Sequence, residues 1–154
     1  MSKKIKDLLF NTLKTFLEDH GFQANVLDQE ETEHFIGTWK KKFLIKPLDK
    51  NESLWHTFGF NHFPSESDDN AVKKFNETLL KEFIVFSTMD LLAIRCTTSF
   101  ACIIQYEALR EKLNTMPHHM DIFIVQSNFK WTFVLTHEQD FGPYFASSEI
   151  NIRL

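Results

Sequence analysis

Met120 to Phe145, MDIFIVQSNFKWTFVLTHEQDFGPYF, holds the longest near-continuous apolar run of the chain and its densest mixture of aromatic and polar residues. Ile122, Phe123, Ile124 and Val125 present no polar face, the pattern of a short strand covered on both sides. Gln126 to Lys130 make a polar connection. The return run alternates, with Trp131, Phe133 and Leu135 on one side and Thr132, Val134 and Thr136 on the other, which predicts a strand packed mainly on one face. His137, Glu138 and Asp140 form a polar exit, and Gly142-Pro143-Tyr144-Phe145 reads as a rigid bend that folds aromatic rings back on the sheet. The fold is therefore expected to be organised around a β-hairpin.

Before the hairpin, Ile5, Leu9, Leu13, Phe16 and Leu17 recur at three and four and predict an amphipathic helix from Lys3 to His20, closed by Gly21 in a left-handed cap. Asp28 is placed as the N-cap of a second helix. Glu30, Glu31 and Glu33 lie in its first turns, Lys40 to Lys42 in its last, and Phe35, Ile36, Trp39 and Phe43 form its buried stripe. Pro47 stops whatever follows, and Leu48 to Ser53 is a polar connection. Leu54 to Phe60, LWHTFGF, reads as a strand with a bulge at Gly59, and Asn61 to Asp68 as a solvent loop. A third helix is expected over about Asp69 to Leu80, on Val72, Phe75, Leu79 and Leu80. The runs Phe83 to Phe86 and Leu91 to Ile94 form a second hairpin, Thr97 to Ile104 has no assigned structure, and Tyr106, Leu109 and Leu113 give a short helix ended by Asn114 and Pro117. The tail Glu149 to Leu154 could add an edge strand. Two adjacent hairpins imply a single α+β domain over residues 1–154, with a mainly antiparallel sheet of about five strands and helices packed on one face.

Composition narrows the function classes. Seventeen Phe against two Tyr place most aromatic area in groups without a hydroxyl, which suits a core. A net charge of −4 argues against a general nucleic-acid binder, because that affinity rests on clustered Lys and Arg neutralising phosphates. No stretch has the length of a bilayer span or of a signal peptide's apolar region, so a cytoplasmic, soluble protein with no membrane partner is expected. Cys96 and Cys102 lack the spacing of a redox or zinc pair and are expected to be reduced packing residues.

Signatures of catalysis are few. With 4 Gly, no phosphate-cradling loop is expected, and there is no nucleophile elbow. Of the 7 His, His56, His62, His118, His119 and His137 fall at strand ends or in loops. His56, His137 and Glu138 could in principle hold zinc or iron or act in acid/base catalysis, yet no H-x-H or H-E-x-x-H spacing supports a site, and no metal or cofactor is expected. By parity His137 continues the face of Trp131 while Glu138 falls with Thr136, so on a regular strand the pair diverges.

The W-H-x-F at Trp55, His56 and Phe58, the W-T-F-V-x-T-H-E from Trp131 to Glu138 and the G-P-Y-F from Gly142 to Phe145 resemble a small bacterial family of uncharacterised proteins catalogued as a domain of unknown function. The resemblance covers roughly the C-terminal two thirds, and it implies a single cytoplasmic domain with no assigned activity, cofactor or catalytic residue. It also implies a candidate surface: Trp55, His56, Trp131, His137, Glu138 and Tyr144, if the matching segments are neighbours in the sheet. Two functions follow from these residues. The first is a non-enzymatic module that binds another protein, of the inhibitor or immunity type, using Trp, Tyr and His at a strand exit as interface anchors. The second is a small hydrolase or metal-dependent enzyme centred on His56, His137 and Glu138. Oligomeric state is not legible at this level.

Overall fold

The computed structural model describes residues 3–43, 65–87, 92–115, 121–135 and 142–147. Outside them fall the expected connection Leu48 to Ser53, the strand Leu54 to Phe60, the first part of the loop from Asn61, the polar exit Thr136 to Asp140 and the tail Glu149 to Leu154. Among the described residues there are four helices: α1 (Lys3–Asp19), α2 (Gln29–Phe43), α3 (Asp68–Asn76) and α4 (Tyr106–Asn114). The strands are β1 (Gln23–Val26), β2 (Ser65–Ser67), β3 (Leu80–Ser87), β4 (Leu92–Cys102), β5 (Ile122–Gln126), β6 (Trp131–Leu135) and β7 (Tyr144–Ser147). They form one open antiparallel sheet in the order β1-β4-β3-β5-β6-β7-β2, an α+β fold.

The expectation of about five strands is corrected to seven among the described residues. Three of these, β1, β2 and β7, lie outside the expected strands; β7 takes up the end of the expected bend, and β1 and β2 carry almost no apolar signal. β1 is QANV, with Ala24 its one buried residue, and β2 is SES, held in place by pairing with β7. Ser65 to Ser67 is thus a strand rather than solvent loop. β4 runs on through Cys102 over the stretch that periodicity left unassigned.

Helices on one face is also corrected, because they cover both. On one side α1, α3 and α4 contribute Leu13, Phe16, Leu17, Ala71, Phe75 and Leu109 to a core with Phe83, Ile94, Ile124 and Phe133. On the other, Phe35, Ile36, Trp39 and Phe43 of α2 pack on Ile84, Phe86, Phe123, Val125 and Val134. The physical reason lies in the central strands: every residue of β6, and Ile122 to Val125 of β5, is buried. A strand with no polar face needs an apolar layer on each side. Trp131 to Leu135 is accordingly packed on both faces, not mainly on one.

Local chemistry sets the element ends. Gly21 has φ +93, as expected of a left-handed cap, and Asp28 Oδ1 accepts the Glu31 backbone N–H at 2.7 Å at the start of α2. α3 stops at Asn76, short of Leu80. Thr78 donates its hydroxyl to the Lys74 carbonyl at 2.6 Å and its N–H to Phe75, which closes the last turn and frees Leu80 to begin β3. Asn76 Oδ1 accepts the N–H of Tyr106, so the end of α3 also supports the start of α4. Gly142 has φ +76 and is followed by a cis Gly142–Pro143 peptide; the expected bend leads directly into β7, and Phe145 stacks on Trp131 with ring centroids 5.7 Å apart.

Candidate functional site

Two of the six expected surface residues are described. Trp131 points to the face covered by α1, α3 and α4 and is 7% exposed, packed against Phe145. Tyr144 points to the α2 face, beside Val134 and Ala146. The sheet therefore separates these two side chains. Trp55, His56, His137 and Glu138, which include all three residues of the enzymatic reading, lie outside the described residues.

Around Tyr144 the strand pairing places Ser67 directly opposite, and Asp68 follows at φ +54, a left-handed conformation that Asp tolerates better than most residues. The Asp68 N–H donates to the Pro143 carbonyl at 2.9 Å, tying the start of α3 to the bend before β7. Partial burial raises the Tyr144 phenol above its ordinary value of 10.0, and the negative charge of Asp68 raises it further. Tyr144 is therefore a neutral phenol at ordinary pH, able to donate and to accept a hydrogen bond.

On the other face a shallow cleft of about 330 Å³ opens between the start of β3 and the β5–β6 turn, lined by Leu79, Lys81, Gln126, Asn128 and Trp131 among others. Its volume is at the lower end of the range for small-molecule pockets, roughly 300 to 1,000 Å³, and its walls carry both apolar and amide groups. Leu79 also belongs to a second feature. Glu82 pairs with Thr97 and Leu80 with Cys102, so Lys81 alone opposes Thr98, Ser99, Phe100 and Ala101, and β4 bulges outward. The Thr98 hydroxyl bridges this bulge, 3.4 Å from the Phe100 nitrogen and 3.3 Å from its carbonyl oxygen, and the ring of Phe100 is 85% exposed. Leu79, 65% exposed, and Ile103, 40% exposed, flank the terminal Leu80–Cys102 pair. Three large apolar side chains thus stand in solvent at one corner of the sheet, and Leu79 joins that corner to the cleft.

Sequence reasoning missed Leu79 and Phe100. Leu79 matched the apolar period of a helix that in fact ends three residues earlier. Phe100 had one available signal, its position as an isolated aromatic in the small, polar run Thr97-Thr98-Ser99-Phe100-Ala101, where no apolar period could bury it.

No group of three or more His, Cys, Asp or Glu suited to a metal occurs among the described residues, and no described helix is long and apolar enough to cross a membrane. Cys96 and Cys102 are free thiols; burial pushes Cys96 up to about 12 and raises Cys102 as well, so both are poor nucleophiles. No curated protein and no solved structure matches the chain. A family model matches residues 6–145, which extends the likeness beyond the C-terminal two thirds to include α1, β1 and α2. The chain belongs to the family described as a domain of unknown function, DUF4275.

Proposed function

We propose that this protein is a non-enzymatic protein-binding module of the inhibitor or immunity type, with the corner of Leu79, Phe100 and Ile103 as its docking surface. The observation that carries this reading is the 85% exposure of Phe100 on the β4 bulge that the Thr98 hydroxyl bridges. Exposing an aromatic ring forgoes about 2 kcal/mol of burial free energy, and a core this rich in Phe has every chemical means of burying one more. A ring held outward by a short turn loses little conformational freedom on docking, which is the character of an interface anchor. The partner is a protein that presents an apolar pocket to the ring, with Leu79 and Ile103 packing around its entrance.

The test is capture with the full chain and with Phe100→Ala and Leu79→Ser variants, followed by titration of the purified partner. Each variant should keep the wild-type melting temperature and weaken the complex by at least about tenfold, the scale of a hot spot. A partner that binds both variants as tightly as wild type, or the absence of any partner lost on substitution, would overturn the proposal.

A further inference from the structure

The outer edge of β1 is a second surface, independent of the Phe100 corner. Leu27 donates its N–H to the Ala93 carbonyl at 3.0 Å, continuing the register in which Asn25 faces Arg95 and Gln23 faces Thr97. Backbone groups alternate along a strand, so the N–H and C=O of residues 23, 25 and 27 turn toward β4 and those of Ala24 and Val26 turn outward. No described strand pairs with that outer side. Edge strands are ordinarily guarded by charge, proline or a bulge. β1 reads Gln-Ala-Asn-Val, with neither charge nor proline. Val26 is apolar and 49% exposed on the face where Ala24 is buried.

We infer that β1 is a self-association edge, whose occupant is the β1 of a second copy of this chain. The outward groups are self-complementary under a two-fold axis through Asn25. Antiparallel pairing centred there sets Ala24 opposite Val26 of the second copy and Val26 opposite its Ala24, and both are hydrogen-bonding pairs because both residues turn outward. Asn25 meets its own equivalent at the intervening non-hydrogen-bonded position, where strands approach closest and two side-chain amides can bond to each other. Val26 covers Ala24 across the seam and loses its exposure to water. The net charge of −4 opposes association in general, but no charge lies on the edge strand itself. The two seven-stranded sheets then continue as one.

Light scattering across a dilution series, read together with amide hydrogen exchange, tests the inference. The wild-type chain should be dimeric at high concentration, with the Ala24 and Val26 amides protected there and exchanging freely on dilution. Val26→Pro removes an outward donor without touching the inward ladder, and Val26→Lys places a charge on the edge. Both should be monomeric, with unchanged circular dichroism. The inference fails if the chain is monomeric at every concentration, if a dimer survives both folded variants, or if those amides become protected only when a different protein is added. Loss of partner binding in Phe100→Ala would leave these readouts unaltered, so the two surfaces are separable.

Discussion

The indole Nε1 of Trp39 donates to the hydroxyl of Thr132 at 3.0 Å, and that hydroxyl donates in turn to the Ile124 carbonyl at 2.9 Å. This buried relay joins α2 to two neighbouring strands, and both side chains are 0% exposed. In an apolar layer it satisfies the one polar atom that Trp39 brings, which lets a residue of that size serve as the centre of the α2 interface.

Thr132→Val, which keeps the shape of the side chain, should therefore destabilise the fold by about 1 to 3 kcal/mol, the range for a buried donor left without an acceptor. Thr132→Ser should lose much less. Urea denaturation of the two variants checks this: a loss in Thr132→Ser as large as or larger than that in Thr132→Val would mean that the hydroxyl is not the dominant contribution.

Phe123 stacks on Phe86 with centroids 4.8 Å apart and meets Trp39 edge-on at 5.0 Å. Phe123→Ala should cost about 3 to 5 kcal/mol, since α2 and β3 meet it through the rigid rings of Trp39 and Phe86 and cannot close the void. A loss under about 1 kcal/mol would show that the α2 layer collapses freely and is not specifically packed.

Cys96 supplies a prediction with a definite sign. Its thiol is raised by burial to about 12 from 9.0, so the unfolded chain releases the proton at lower pH than the folded one. The stability that this gives is fully present below pH 9.0 and is lost as pH rises toward about 12, by up to about 1.4 kcal/mol per pH unit. Cys96→Ala should remove that part of the alkaline slope, read from melting temperatures across the range. Identical slopes in variant and wild type would contradict the assigned burial. Reductant should leave the melting temperature unchanged, because both cysteines are already free.

How much of this was legible in the residues depended on which force placed them. α1, α2, α4 and the hairpin of β5 and β6 are written as apolar periods, and each was placed within a residue or two of its ends. The α2 stripe Phe35, Ile36, Trp39 and Phe43 is buried as expected. β1 and β2 were not legible, because pairing across the sheet and not burial of their own side chains makes them strands. The helix layers were partly legible: Ile122 to Val125 already implied cover on both sides, and the consequence for α2 follows from that. Of the expected surface, parity along β6 placed Trp131 on one face, while Tyr144 fell on the other because its register is set through β7. Phe100 depended on a bulge, a local mismatch between two strands that no single-strand pattern contains.

Tyr144 and Asp68 provide the last prediction. Two causes raise the Tyr144 phenol above 10.0: partial burial, which disfavours the phenolate, and repulsion from the Asp68 carboxylate. Asp68→Asn removes the second and leaves the first, and Asn is as tolerant of the left-handed conformation at φ +54. The phenol should then fall toward 10.0 without reaching it. With two tyrosines in the chain, a Tyr106→Phe background leaves one group to follow by tyrosinate absorbance. The sign for stability follows from the same shift: the contribution is whole below the unfolded value of 10.0, declines as pH rises through the folded value, and should be smaller in Asp68→Asn. An unchanged titration midpoint in that variant would show that Asp68 does not act on the ring, and that burial alone raises the phenol.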